Sequence, residues 1–216
     1  SGALMPGQRL PSETELANAL GISPMTARQA LSTLEEDGLI RRQRGVGSFV
    51  TVRSFERDVG QIQGFTEDMV SRHVVTRSRI LRFEQSTAPE YAIAAGQAEA
   101  GMPMLRIKRL RYANEQPVAL QDAYFAGVDF TREELEATGS VYGILASRGS
   151  AVANGEAAID AVSAESEASH LLNVPLHAPL LRTRLLSWDA DGRFIEFTHA
   201  LYRADLYQLH ARLGQT

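Results

Sequence analysis

The pattern of apolar and polar positions changes character after residue 50. Between residues 10 and 50, short apolar stripes at helical spacing are broken by glycine. Leu16, Ala17, Leu20 and Ile22 fall on one side of a short helix, and Gly21 ends it as a left-handed stop, a conformation glycine adopts without a Cβ penalty. Ser23 can cap the backbone donors of a second helix. Pro24 fits its first position, because the missing N–H would have no partner there anyway. Ala27, Ala30, Leu31 and Leu34 supply the buried stripe of that helix. Two helices joined by so short a turn must cross steeply. The outer face of the second then offers Met25, Thr26, Arg28, Gln29 and Ser32, groups able to reach phosphates and base edges in a major groove. Gly38 ends the second helix, Leu39 and Ile40 begin a strand, and Gly45-Val46-Gly47 turns it back through Ser48, Phe49 and Val50. Arg41, Arg42 and Arg44 therefore surround one hairpin, as suits a wing lying on the phosphate backbone or tipping an arginine into the minor groove. A plain amphipathic helical hairpin beside a solvated charged turn is the alternative.

Beyond this head the pattern predicts a first domain over residues 1–51, a linker over 52–63 and a second domain over 64–216. The linker carries Arg53, Glu56, Arg57 and Asp58 with few apolar anchors. In the second domain strands are predicted over residues 79–83, 104–112, 118–125, 155–162, 180–189 and 193–202. Helices are predicted over 89–95, 141–147 and 164–172. Turns at 114–117 and at Asp191-Gly192 make antiparallel hairpins of their flanking strands. Strands in hairpins with helices alongside give a mixed, mostly antiparallel α+β domain.

Composition refines this picture. The 216 residues are 44% apolar and 22% charged, enough for one larger and one small globular domain. The formal net charge of −4 is unevenly placed: residues 1–57 carry seven Lys plus Arg against six Asp plus Glu, and the remainder fifteen against twenty. A mildly basic head on an acidic body is compatible with local, salt-sensitive phosphate contact. Cysteine is absent, so there is no disulfide framework or thiolate metal site. His73, His170, His177, His199 and His210 show no ligand-pair spacing, and neither a metal nor another cofactor is expected. With no long apolar run or signal pattern, a cytoplasmic protein without membrane attachment is the expectation.

Polar residues stand out in the second domain. Arg109 and Arg111 lie two apart on a mostly apolar strand and so share a face. Two forked cations there suit a phosphate or carboxylate, with a hydroxyl from Thr66, Ser140 or Tyr142 completing the shell; solvated surface arginines are the alternative. Glu196 can accept bonds from ligand hydroxyls or pair with an arginine.

Four motifs then carry a resemblance. Pro-Ser-Glu-x-Glu-Leu-Ala, Gly-Ile-Ser-x-x-Thr-x-Arg-Gln-Ala-Leu, Leu-Glu-x-Asp-Gly-Leu-Ile and Arg-Gly-x-Gly-Ser-Phe-Val, in register over residues 11–50, resemble the winged helix of GntR-type bacterial transcription regulators. The resemblance implies that Arg28 contacts DNA from the recognition helix, where the exposed face also offers Gln29. Ser23 and Thr26 would touch phosphates, and Arg44 with Gly45 would form the wing tip. Thr14 and Pro24 stand where many relatives carry arginine. Winged helices of this type place an amphipathic helix first; residues 1–8 read only as a helix tail and a turn, so loss of the natural amino terminus is expected.

Phe65-Thr66-Glu67-Asp68-Met69, Arg109-Leu110-Arg111, Pro117-Val118-Ala119-Leu120, Gly139-Ser140-Val141-Tyr142, Ala164-Glu165, and Glu196-Phe197-Thr198 before Tyr202-Arg203-Ala204-Asp205 are similar to the UTRA effector-binding domain of the HutC-type subfamily. That resemblance implies a chorismate-lyase-like α+β fold used as a sensor, and homodimers joined through it. It places Thr66, Arg109, Arg111, Ser140 and Tyr142 around a ligand phosphate and Glu196 at sugar hydroxyls. Gln121 stands where relatives sensing phosphorylated amino sugars carry glutamate. The resulting expectation is a homodimeric regulator, a repressor, that binds double-stranded operator DNA under control of a small anionic effector. A lyase-like enzyme and a dimer whose second domain binds nothing are the rivals.

Overall fold

Local capping chemistry sets the first helices. Helix α1 (Glu13–Leu20) opens with a reciprocal box, in which Glu15 N–H donates to Ser12 Oγ at 3.3 Å and Ser12 N–H to Glu15 Oε2 at 2.7 Å. Gly21 closes it at φ +67°, the predicted left-handed stop. Helix α2 (Pro24–Glu36) begins with Thr26 N–H donating to Ser23 Oγ at 3.1 Å. The computed structural model describes residues 4, 8–36, 39–43, 45–50, 55–113 and 115–211, with the side chains of Arg41 and Glu56 left aside. It divides into two units, Ser1–Phe55 and Glu56–Thr216.

In the first unit Leu10, Leu31 and Ile40 form the core, flanked by Leu16, Leu34 and Val50. The apolar stripes are narrower than their spacing predicts. Leu20 is 67% exposed, and Ile22 and Ala30 are exposed too, because the small core closes without them. Strands β1 (Ile40–Gln43) and β2 (Gly47–Val50) pair antiparallel from Ile40↔Val50 to Gln43↔Gly47. Leu39 stays outside the strand. Gly45 at φ +77° and Gly47 at φ +137° make the turn. Residues 8–10 add a further edge to β2, with Leu10 N–H donating to Ser48 O and Val50 N–H to Gln8 O. That part of the predicted amino-terminal tail is therefore extended, while Gly38, Arg44 and most of residues 1–7 lie outside the described residues.

The second unit is built on six antiparallel strands: β4 (Thr76–Thr87), β5 (Pro103–Ala113), β6 (Gln116–Ala126), β7 (Asn154–Ser163), β8 (Pro179–Trp188) and β9 (Phe194–Arg203). Their order is β4-β5-β6-β9-β8-β7, two meanders joined where β6 pairs β9. Alternation along the strands separates two faces. One buries Leu105, Ile107, Ala123 and Phe125 beneath helices α5 (Arg132–Thr138) and α6 (Val141–Ser147). The other buries Leu110, Leu120 and Leu180 beneath helix α7 (Ser166–Leu172), and Leu186 and Phe197 beneath helix α4 (Glu90–Ala94). The predicted α+β architecture is the observed one.

Three differences matter for the site. The stretch predicted as a linker contains strand β3 (Phe55–Asp58), which pairs with β10 (Tyr207–His210) in a separate two-stranded ribbon. Residues 56–63 thus belong to the second unit, anchored by polar bonds and by Ile62 rather than by the dense apolar pattern that marks a strand in sequence. Helices α3 (Phe65–Ser71) and α5 and strand β10 carry no sufficient stripe of their own. In the predicted turn at 114–117, Glu115 takes φ +65°, while Gln116 and Pro117 already belong to β6; Asn114 lies outside the described residues.

Candidate functional site

In the first unit, α2 turns Met25, Thr26, Arg28 and Gln29 outward, all of them exposed. Ser23 Oγ and Thr26 Oγ1 lie 2.8 Å apart, so the two hydroxyls form one polar edge at the helix start. Arg28 Nε donates to Glu13 Oε2 at 2.9 Å, yet its side chain is 60% exposed and the pair is solvated. Arg42 is held more firmly. It reaches Glu13 and Glu35, and its Nη2 donates to the Arg28 carbonyl at 3.2 Å, tying the wing to both helices. In the backbone register Arg41 pairs Phe49 and Arg42 pairs Ser48. Gly45 sits in the turn with open space around it. Arg44 lies outside the described residues. Arg9, which the sequence reading did not single out, crosses beside Gly47, where a Cβ would stand 2.9 Å from its Nε.

In the second unit the predicted polar residues converge. Thr66, Arg109, Arg111, Gln121, Ser140, Tyr142 and Glu196 all line one cavity of about 250 Å³. β5 positions the arginines: each continues the face that buries Leu105 and Ile107, at the place where the helical cover gives way to the cavity. Arg109 pairs Gln121 across the ladder, and Arg111 pairs Ala119. Both arginines are buried, at 5% and 1% exposure.

Arg109 Nη2 donates to Gln121 Oε1 at 3.0 Å, and Arg111 Nη2 to Thr66 Oγ1 at 2.7 Å. The Arg111 guanidinium also lies 4.4 Å over the Phe65 ring. Arg109 Nε, Arg111 Nε and Arg111 Nη1 are buried without a hydrogen-bond partner among the described residues. Burial pulls the Arg109 guanidinium down to about 10, against the opposing fields of Glu196 and Glu67. Burial, then the charge of Arg109, depresses Arg111 far below its usual value. These are cations whose charge the fold itself leaves incompletely matched. A neutral partner at Gln121 positions Arg109 without cancelling that charge, as a carboxylate there would.

The hydroxyls are committed differently. Thr66 accepts from Arg111 and donates to the Gly139 carbonyl at 2.9 Å. Ser140 caps α6, accepting from Gly143 N–H at 2.9 Å, and donates to Glu67 Oε1. Tyr142 donates to Glu196 Oε2 at 2.7 Å, and Thr198 donates to Glu196 Oε1. Burial raises the Glu196 carboxyl, although its hydrogen bonds and Arg109 oppose the shift, and burial with Glu196 raises the Tyr142 phenol. The guanidinium donors are therefore the groups of this cavity left open to a new acceptor. The hydroxyls can join only by exchanging present partners.

The sequence alone assigned no site role to Arg57, Glu67, Thr198 or Tyr202, which also line this cavity. Thr198 was within reach, two positions from Glu196 on one strand face, and Glu67 adjoins Thr66. Arg57 carried no such signal.

Comparison with known proteins places this arrangement. Residues 1–50 match the gntR family of bacterial regulatory proteins, and residues 71–208 match the UTRA domain. The HTH-type transcriptional repressor NagR of Bacillus subtilis is 30% identical over 210 residues, covering 96% of this chain and 86% of that protein. The chain belongs to the GntR family of bacterial regulatory proteins. Within this family it is similar also to the histidine utilization repressor of Klebsiella aerogenes, 29% identical over 99% of this chain and 89% of that one. The crystal structure of PhnF from Mycobacterium smegmatis shares the fold, with a TM-score of 0.72 and 23% identity over 99% of this chain and 95% of that one. This GntR-family chain is a DNA-binding transcription regulator, with a winged helix-turn-helix in its first unit and a UTRA domain in its second. Among the described residues no helix is long and apolar enough to cross a membrane, and no cluster of potential ligands could hold a metal ion.

Proposed function

We propose that this regulator is a homodimeric repressor whose operator binding is set by a small anionic metabolite, a phosphorylated amino sugar being the favoured class, held in the cavity by Arg109 and Arg111. The observation that carries the reading is the pair of buried guanidinium groups with three unpartnered donor nitrogens on one open cavity. Buried donors left unmatched destabilise the empty protein, and phosphate oxygens satisfy them with charge-assisted bonds. A cavity filled by its own side chains would instead favour a dimerisation module without ligand. Glu196 and Gln121 remain available to select sugar hydroxyls. In this reading the UTRA unit senses its ligand and does not transform it. Dimerisation is supported by the position of β7 as a terminal strand of the six-stranded sheet. In the first unit, Arg28, Gln29, Ser23 and Thr26 read the operator with Gly45 and Arg44 at the wing tip, while Arg41 meets the backbone and Arg42 chiefly braces the wing.

The test is thermal stabilisation of the full-length protein by phosphorylated sugars, amino-sugar phosphates, inorganic phosphate and small carboxylates, because a ligand that binds only the folded state must raise its melting temperature. Arg109→Ala should abolish the response while operator binding persists. Arg28→Ala should do the reverse. Loss of both activities in both variants would refute the division of roles.

A further inference from the structure

Arg57 stands on β3, in the stretch whose composition predicts a linker, two residues after Phe55, where the first unit ends. Its guanidinium lines the same cavity as Arg109 and Arg111. Nη1 donates to the Tyr202 hydroxyl at 3.4 Å and Nη2 to the Gln63 carbonyl at 2.9 Å. Both partners are neutral, and no ion pair among the described residues includes Arg57, although nearby Asp68 pairs with Arg72 at 2.7 Å.

The charge of the cavity turns on this residue. Its lining holds Arg57, Arg109 and Arg111 against Glu67 and Glu196, an excess of one positive charge that would vanish without Arg57. The three cations are also mounted differently. Arg109 and Arg111 rise from an interior strand of the six-stranded sheet, whereas β3 pairs only with β10. A two-stranded ribbon is the least stable form of sheet. Besides its ladder, this one is tied by the bond from Val59 N–H to the His210 carbonyl at 2.8 Å, by the Tyr202–Tyr207 ring stack at 4.3 Å and by the two bonds of Arg57. Through Gln63, Arg57 also fixes the segment that leads into α3 and Thr66.

A guanidinium has five N–H donors, and an anion offers it a stronger acceptor than a phenol or a peptide carbonyl. An anion seated on Arg109 and Arg111 therefore competes for Arg57 with Tyr202 and Gln63. The result is two alternative bonding arrangements of the ribbon, one for the empty cavity and one for the filled one. A ligand shifts such an equilibrium only by binding the two arrangements unequally, and Arg57 supplies that inequality.

We infer that Arg57 is a third effector-binding side chain, and that it carries occupancy of the cavity into β3, the strand that follows the winged helix in sequence. This rests on the reading of the cavity as an anion sensor.

The experiment uses full-length wild type, Arg57→Gln, Arg57→Lys and Arg109→Ala. Inorganic phosphate and glucosamine 6-phosphate are the probes, read by melting temperature. Release of a duplex selected by the protein from random sequence is read by fluorescence anisotropy. For Arg57→Gln, probe affinity should fall about tenfold, the weight of one charge-assisted hydrogen bond, while duplex affinity without probe stays within about twofold of wild type. Probe-induced release of the duplex should shrink in the same variant, and Arg57→Lys, which keeps the charge, should recover part of both effects. Wild-type probe affinity and release in Arg57→Gln would overturn the inference, as would a loss of duplex affinity already present without probe. If neither probe stabilises the wild type, or if Arg109→Ala responds equally, the anion-sensor reading itself fails and the role of Arg57 falls with it. A wild-type response that Arg109→Ala loses and Arg57→Gln retains would sink the inference alone.

Discussion

Arg111→Met should make the protein more stable and unable to sense. Arg111 is 1% exposed, and among the described residues only its Nη2 has a hydrogen-bond partner. Nε and Nη1 are buried without one, and Arg109 beside it adds like-charge repulsion. Each unmatched buried donor costs about 1–3 kcal/mol, and a charge removed from water costs several more. Against this the variant loses the bond to Thr66 and the cation–π contact with Phe65, worth about 2–5 kcal/mol together. Thr66 keeps its bond to the Gly139 carbonyl, so no new orphan is created there. Methionine is flexible enough to fill the channel left by the arginine stem. Replacing buried ionic groups by apolar ones of similar volume is commonly stabilising by 1–4 kcal/mol, and the lost Thr66 and Phe65 contacts place this case at about 1–3 kcal/mol. For a unit of this size that corresponds to a rise in melting temperature of roughly 2–10 °C. Urea unfolding followed by the fluorescence of Trp188, the one tryptophan in the chain, reports on this unit directly. The measurement belongs in phosphate-free buffer, and phosphate titration of the same samples should show no added stability. A variant less stable than wild type by 1 kcal/mol or more would refute the reasoning, since it would mean that the empty protein already satisfies Arg111.

Two further outcomes are expected. Gly21→Ala places a Cβ in open space but in a left-handed backbone at φ +67°, so its cost of about 1 kcal/mol is purely conformational. Duplex affinity should fall while phosphate binding is unchanged; an unaffected variant would show that the turn between α1 and α2 tolerates the strain. Glu196→Gln tests the electrostatics of the cavity. Burial raises this carboxyl above its ordinary 4.5, so the stability it contributes is present below that value and is lost as pH rises through its folded-state value. The variant cannot ionise, and its stability relative to wild type should therefore increase from acid toward neutral pH. Urea midpoints at both ends of that range decide it, and the opposite trend would mean that the site favours the carboxylate.

Much of this protein was legible in short stretches of sequence because the deciding physics is local. Gly21 stops the first helix; Ser23 and Pro24 start the next; and Asp191-Gly192 turns β8 into β9. Alternation likewise put Arg109 and Arg111 on one face. None of this tells whether that face meets water or a cavity. That choice depended on β6 and β9 pairing beside β5, on α5 and α6 covering only part of the face, and on Thr66 reaching Arg111 across 45 positions. Arg57 marks the limit most sharply. Its neighbours in sequence are polar and read as a linker, while the partner that seats it, Tyr202, is 145 positions away. Backbone preferences, caps and turns act over a few residues and leave their signature in the residues themselves. Burial of a charge and the partners it lacks are properties of the assembled sheet, so only the tertiary structure could turn a strand with two arginines and a charged linker into one cationic site.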